Sequence, residues 1–463
     1  GRAVQNDDYA TITYTSGTTA DPKGVVLTHR NYTANIEQAL TCVDIPSTYK
    51  TLIILPLDHC FAHVAGFYTM MSYGASLGMV PSGKSGKEAL RNISPSIQEL
   101  KPSVMLSVPT LAKNFKKSIE TSISKKGPTV EKLYNFALKN AIAYNKEGYN
   151  KGTQFVDIFR KPLMLLFDKI IFKAVRQGLG GNMKFFVGGG ALLDIDLQRY
   201  YYAIGIPMYQ GYGLSEATPI ISANSPARHI FGSSGKVVQP MEIKILDADG
   251  VEQPFGSKGE ICIKGENVMA GYWKNPKSTA DTIVDGWLHT GDMGYMRDEE
   301  MLYVVGRFKS LLIAADGEKY SPEGIEENLV ESSKYIDGAL LHNSQDPYTI
   351  ALVTPNKDAL KAYAKSLGLD PETKEAKVKM LELLQDEVNM YRKGGRQFGA
   401  FPERWLPAAV CVLPEPWTEQ NHFLNSSMKV VRGRVEEAYK AHMEYAYTPE
   451  GKNIVNDMNL ASL

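Results

Sequence analysis

Along Tyr9–Tyr14, β-branched and aromatic side chains alternate with the rest, the pattern then breaks into a glycine-rich loop, and helical spacing resumes from Leu27 to Leu40. That order predicts strand, loop, helix. The succession recurs at Leu52–Pro56, Ser103–Val108 and Lys184–Val187, short apolar runs each followed by a glycine or proline turn and a helical segment. Strands alternating with helices predict an α/β fold, a large domain of parallel or mixed sheets flanked by helices. Residues 119–181 depart from the alternation. They are rich in Lys, Tyr and Asn at first and amphipathic from Phe155 to Val175, which predicts a helical insertion. In Phe167-Asp-Lys-Ile-Ile-Phe-Lys-Ala-Val175 the interleaved lysines suit a membrane surface, although a helix packing one face on the core is the commoner origin of such a pattern.

From Pro240 the period shortens to two. Glu242-Ile-Lys-Ile-Leu246 and Glu260-Ile-Cys-Ile-Lys264 read as strands, with hairpin chemistry at Asp247-Ala-Asp-Gly250, so a small β-subdomain is expected over about residues 232–306. Past Gly306 the composition resets. Charged helices (Ser321–Glu331, Asp358–Leu367, Lys374–Arg392) surround strands at Ala339–His342 and Ala409–Leu413, a separate α+β domain over 307–463 that follows a core over 1–306.

Composition narrows the function classes. The 463 residues are 43% hydrophobic and 22% charged, which suits a folded chain of two to three domains. Fifty-one basic and fifty-one acidic residues cancel, so nothing overall favours nucleic acid or an anionic membrane, and partners must be recognised locally. Cys42, Cys60, Cys262 and Cys411 lie far apart without a Cys-x-x-Cys pair; the sequence therefore supports neither a zinc site nor a disulfide framework. No apolar run reaches the ~18 residues of a spanning helix, and Gly1–Asp8 lacks the order of a signal peptide. A cytoplasmic protein is expected, with peripheral contact at the inner membrane face and the oligomeric state left open.

The stretch Thr15-Ser-Gly-Thr-Thr-Ala-Asp-Pro-Lys-Gly24 carries candidate chemistry. A Walker loop would place Lys and Ser/Thr at the start of a helix, whereas Lys23 follows a proline and precedes Gly24, so that reading is excluded. Inward-turned backbone N–H groups, hydroxyls and one lysine still make a plausible polyphosphate clamp. Taken alone, a flexible surface loop explains the stretch equally well.

Its companions, in order, are Gly188-Gly-Gly-Ala191, Gln210-Gly-Tyr-Gly-Leu-Ser-Glu216, Gly286-Trp-Leu-His-Thr-Gly-Asp292, Gly306-Arg-Phe-Lys-Ser310 and Ser427-Met-Lys-Val-Val-Arg432. This series resembles the adenylate-forming (AMP-binding) superfamily from Tyr9 to about Tyr445. The residues Phe167–Gly180 leading into Gly188, the wording Gly211–Glu216, and Leu413-Pro-Glu-Pro-Trp-Thr418 are similar to the long-chain fatty acid–CoA ligase branch. The resemblance implies a two-step reaction that uses ATP, Mg2+ and coenzyme A: a fatty acid carboxylate forms an acyl-adenylate with loss of pyrophosphate, then the coenzyme A thiol displaces AMP.

By the same resemblance, Thr15, Ser16, Gly17, Thr18, Thr19 and Lys23 hold the β- and γ-phosphates, and Glu216 binds magnesium with help from Thr15. Tyr212 stacks on adenine, Gly189, Gly190 and Ala191 let the base approach, and Gln210, Gly211 and Gly213 complete the pocket. Ser215 keeps a hydroxyl toward the α-phosphate where the family has threonine. Asp292 and Arg307 meet the ribose, Lys309 is the hinge about which a mobile carboxy-terminal lid swings, and Lys429 bridges carboxylate and α-phosphate. Without the motif, Glu216 reads as a surface glutamate after a turn and Lys429 as a solvated lysine. His59, in Leu55-Pro-Leu-Asp-His59, matches a family histidine near the acyl group; with His63 it also has i, i+4 metal spacing, but no third ligand is evident. The following Val64–Met71 suits an acyl tunnel or plain core packing.

Ser310 and Ser427-Met-Lys429 depart from the usual residues without removing a required charge. The family carries a substantial amino-terminal subdomain before the phosphate loop, whereas here that loop begins at residue 15, as in a fragment or a shortened chain. Alternatives to the long-chain ligase are an adenylating ligase for another carboxylate or a carrier-protein acceptor, and a truncated nucleotide- or acyl-binding fragment without catalysis.

Overall fold

In the computed structural model, residues 3–15, 22–81, 86–148, 151–418, 420–424 and 430–463 are described. The strand Met208–Gly213 is the turning point of a twelve-stranded mixed sheet. On one side it runs parallel to Phe185–Gly188, and the parallel order continues through Val104–Ser107, Lys50–Ile53 and Ser76–Met79. On the other it pairs antiparallel with Ile220–Ala223, after which come Gly235–Val237, Met301–Arg307, Trp287–Met296, Gly259–Lys264 and Glu242–Leu246. The fold class follows the sequence pattern: every residue of Val104–Ser107 is buried, as expected of a parallel strand covered on both faces. Glu242–Leu246 and Gly259–Lys264 pair antiparallel with Leu246 opposite Glu260.

One expected element is shorter than its spacing suggested. Leu27 and Thr28 end a strand, Lys23–Thr28, and the helix is His29–Leu40. The apolar run Val25–Leu27 is buried, and Val25 and Val26 pair with Tyr272 and Gly271, which outweighs local helical spacing. Thr28 then caps the helix: its hydroxyl accepts from Asn31 N–H at 3.2 Å and its own N–H donates to Asn31 Oδ1 at 2.8 Å, a reciprocal arrangement that satisfies orphan donors.

Helices dominate the described residues between 109 and 178. Pro109–Ser124 and Pro128–Asn145 are followed by a continuous run made of Asp157–Phe167, a π-helical turn Asp168–Phe172, and Lys173–Gly178. Phe167 and Phe172 join Tyr134, Phe186, Tyr200 and Tyr201 in one buried cluster. The segment Phe167–Val175 thus packs one face on the core. Among the described residues no helix is long and apolar enough to cross a membrane.

The chain forms two compact units, one containing Gly24–Val305 and the other Gly306–Leu463. In the second, Ile336–His342 pairs antiparallel with Ile350–Pro355, which runs parallel to Ala409–Val412. The helices Glu323–Ser332, Lys357–Ser366 and Lys374–Val388 contribute Leu329, Leu360, Leu381 and Leu384 to its core. Arg432 donates to Glu326 Oε1 and to the Leu341 carbonyl, both at 2.6 Å. Burial pushes the Glu326 carboxyl up and the guanidinium opposes that shift, so the pair is satisfied rather than left as a lone buried charge.

Candidate functional site

Gly189–Ala191 and Gln210–Gly213 lie at the carboxyl ends of two neighbouring parallel strands. Gly188 stands opposite Gln210, so the turn after Phe185–Gly188 lies alongside Gln210–Gly213. A side chain at Gly189 would bring Cβ to 2.9 Å from the Phe61 ring, and Gly190 adopts φ +84°, a left-handed conformation that glycine takes without penalty. Gln210 is buried and braces this turn. Its Oε1 accepts from Leu193 N–H at 2.7 Å, and its Nε2 donates to the carbonyls of Ala191 and Gly211 at 3.2 and 2.7 Å. At Gly213 a Cβ would fall 1.9 Å from the Pro219 carbonyl oxygen, so only glycine fits where the strand irregularity after Tyr212 begins.

Tyr212 and Asp292, far apart in sequence, meet directly: the phenol donates to Asp292 Oδ2 at 2.7 Å. Asp292 is buried within the strand Trp287–Met296. The irregular stretch of that strand just before Asp292, where the register shifts, is held from the adjacent strand Gly259–Lys264. Glu260 accepts from Gly291 N–H at 3.0 Å through Oε1 and lies 2.9 Å from His289 Nδ1 through Oε2. The Thr290 hydroxyl donates to Ile261 O at 2.7 Å and accepts from Asp292 N–H at 3.1 Å. Cys262 Sγ lies 3.5 Å from the same imidazole nitrogen. Glu260, Cys262 and His289 therefore form a group of three metal-ligating side chains among the described residues, assembled by cross-strand pairing of Cys262 with His289. Burial pushes the Cys262 thiol to about 12 and the Glu260 charge adds to the shift, so the protonated, hydrogen-bonded form dominates.

Glu216 lies in the single 3-10 turn Ser215–Ala217. Thr218 follows at φ +62°, and its hydroxyl donates to Asn267 O at 2.7 Å while Asn267 Nδ2 donates to Ala217 O at 2.8 Å. The Glu216 carboxylate accepts from the Tyr272 hydroxyl at 2.9 Å. Cys60, buried beside Thr13 at 3.7 Å, has its thiol pushed up by burial, partly offset by hydrogen bonds with Thr13 and Ser215; the Glu216 charge adds to the rise. Sequence reasoning missed Tyr272, Cys60, Glu260 and the role of His289. The last lay inside a stretch already singled out, whereas the others have only pairing to reveal them.

His59 is exposed, and its Nδ1 accepts from Phe61 N–H at 3.3 Å. His63 stacks on Tyr32 with centroids 5.4 Å apart, so the i, i+4 pair is not drawn into a metal cluster among the described residues. The helix that follows starts as a π-helix, Phe61–Tyr68, with Gly66 close to Leu106 and a narrow apolar cavity bordered by Leu52, Ile54, Ala62 and Gly66. Thr15 ends the strand Tyr9–Thr15 and Lys23 opens Lys23–Thr28. Arg307 ends the strand Met301–Arg307, and Lys309 lies in the short helix Phe308–Ser310 of the second unit. Ser16, Gly17, Thr18, Thr19 and Lys429 lie outside the described residues.

The parallel strands, the small-residue turn beside Met208–Gly213 and the Tyr212–Asp292 pair define a mixed α/β fold with its candidate site at the strand ends. Residues 1–273 match the family described as AMP-binding enzyme, and the chain belongs to that family. It is 29% identical over 96% of its length to a probable acyl-activating enzyme 16, chloroplastic, of Arabidopsis thaliana. It is 27% identical over 97% to a long-chain-fatty-acid–CoA ligase of Mycobacterium bovis, and 29% identical over 95% to long-chain-fatty-acid–CoA ligase 5 of Mus musculus. The chain spans 64%, 71% and 62% of those proteins' own lengths. Among solved structures, the O-succinylbenzoate coenzyme A synthetase of Bacillus subtilis in complex with AMP superposes with a TM-score of 0.61 at 23% identity, over 94% of this chain and 70% of that one. The adenylation domain of a Mycobacterium chelonae carboxylate reductase gives 0.64 at 22% identity, over 96% and 60%.

Proposed function

We propose that this protein joins a long-chain fatty acid to coenzyme A at the expense of ATP, through an acyl-adenylate. The observation that carries the nucleotide part is the Tyr212–Asp292 hydrogen bond of 2.7 Å beside the glycine turn. It orients a buried carboxylate able to accept from ribose hydroxyls, next to a ring able to stack on adenine. The donor set also fits magnesium, which takes hard oxygen ligands: Glu216, steadied by Tyr272, and the Thr15 hydroxyl would hold it. Bound there, the ion would neutralise phosphate charge. Lys23 and the loop from Thr15 to Thr19 would hold the β- and γ-phosphates, and Gly189, Gly190, Ala191, Gln210, Gly211 and Gly213 would form the base pocket.

Both half-reactions build negative charge on oxygen, so positioning and fixed cationic or N–H partners supply the acceleration. Lys429 would bridge the attacking carboxylate and the α-phosphate, the Ser215 hydroxyl would point to the same phosphate, and His59 would stand near the acyl group. Arg307 would meet the ribose, and Lys309 would serve as hinge. The long-chain assignment draws its support from relatives named as long-chain ligases and from the helices Pro128–Asn145 and Asp157–Phe167 within the 119–181 insertion.

Pyrophosphate release with a panel of acids tests the reading. Saturated acids of C12–C18 are expected to give the highest kcat/KM in the presence of ATP, magnesium and coenzyme A. Faster turnover of an aryl or short acid would overturn the chain-length assignment, and nucleotide binding without pyrophosphate release would reduce the protein to a binding module.

A further inference from the structure

A thiol, an imidazole and a carboxylate converge on one face of the sheet beside Asp292. Cys262 lies opposite Lys244 on one side and His289 on the other, and Glu260, two residues earlier in the same strand, projects to the same face. His289 is 27 residues from Cys262, so no short ligand spacing in the sequence announces the set. One donor atom from each of the three lies within 4.8 Å of the other two. Cys262 Sγ is 3.5 Å and Glu260 Oε2 is 2.9 Å from His289 Nδ1. A zinc ion ~2.3 Å from sulfur and ~2.0 Å from nitrogen, with a tetrahedral angle between them, needs those two donors about 3.5 Å apart. The sulfur–imidazole edge already has that length, and the carboxylate edge needs only about 0.5 Å of opening.

The donor set also selects the ion. A thiolate and a carboxylate together balance a divalent charge, and the mixture of sulfur, nitrogen and oxygen favours zinc over magnesium or calcium, which take oxygen. Burial, the main influence on Cys262, keeps its thiol protonated without an ion, while the Lys244 charge works the other way. A coordinated zinc ion deprotonates such a thiol, and the displaced proton passes to solvent. The side chains of His289 and Glu260 are 29% and 24% exposed whereas Cys262 is buried, so an ion enters past the imidazole and carboxylate and meets the sulfur at the closed end. Glu260 Oε1 stays on Gly291 N–H, because the ion takes Oε2. We infer that Glu260, Cys262 and His289, with a water as fourth ligand, form a zinc site that ties the strand Gly259–Lys264 to Trp287–Met296. The inference stands on this cluster alone and is independent of the proposed reaction.

Titration of the full chain with Co2+ alone, after treatment with a chelator, tests it. The wild-type chain is expected to give tetrahedral visible bands and a sulfur-to-cobalt charge-transfer band at equimolar metal, both abolished by Zn2+. Cys262→Ser should lose the charge-transfer band, and His289→Gln should bind Co2+ at least roughly tenfold more weakly, the loss that even an outer partner of a metal ligand causes. Zn2+ should raise the Tm of wild type and leave that of Cys262→Ser unchanged. Cys42→Ser, which removes a less buried thiol, should behave as wild type. Absence of the charge-transfer band from wild type, its persistence in Cys262→Ser, or its loss in Cys42→Ser would overturn the inference. If circular dichroism shows Cys262→Ser unfolded, His289→Gln decides, and undiminished Co2+ affinity there would overturn it equally.

Discussion

Glu260 touches none of the groups expected at the nucleotide, yet it holds the irregular stretch of strand that leads to Asp292, through Gly291 N–H and His289. Under the proposed function it is a positioning residue. Hydrogen bonds to a charged group are worth about 1.5–3 kcal/mol, so Glu260→Ala is expected to raise the KM for ATP roughly tenfold with little change in kcat. With an ATP analogue lacking both ribose hydroxyls, wild type and variant should give the same KM, because Asp292 then has nothing to hold. An equal loss with both nucleotides would show a general structural defect instead. Asp292 and Tyr212 were legible in the sequence as members of recognisable stretches, but their direct bond was not. Nor was the clasp on Asp292, because Glu260 and Cys262 reach His289 only through the antiparallel register of two strands.

At the scale of the element, the helix Asp157–Phe167 is anchored by a carboxylate. Asp157 accepts from Gln154 N–H at 2.8 Å and pairs with Arg160 and Lys146. The Gln154 N–H, ahead of the Arg160 and Lys146 partners, holds its carboxyl below the ordinary aspartate range. A carboxyl with a depressed folded pKa contributes stability that is present above its unfolded pKa and lost as pH falls through the folded one. Hydrogen-exchange protection at the start of the helix Asp157–Phe167 is therefore expected to drop below about pH 4. In Asp157→Asn it should already be reduced at neutral pH, with no acid step remaining. If wild type and variant showed the same profile, Asp157 would not be the anchor. Spacing revealed this helix, and it also revealed the helix at His29–Leu40, but it placed the latter's start two residues early. Hydrophobic period reports a residue's own neighbours, whereas the strand that ends in Leu27 and Thr28 is paired, through Val25 and Val26, with the distant Gly271–Tyr272.

At the scale of the whole molecule, the proposed two-step reaction makes a separable demand on Lys429. In the full-length protein, Lys429→Ala is expected to abolish acyl-adenylate formation from ATP and acid, while transfer to coenzyme A from a supplied acyl-adenylate largely persists. Parallel loss of both half-reactions would contradict the role. Alternation of apolar runs with helical segments determined the α/β class, because burial on both faces of a parallel strand requires continuous apolar residues. The ordered glycine, glutamate and aspartate stretches determined the family. Only the tertiary structure decided which groups meet: Tyr212 with Asp292, Tyr272 with Glu216, and Glu260 with His289. Local patterns are set by interactions within a few residues, whereas these contacts depend on sheet order and register, which bring together strands and helices far apart along the chain.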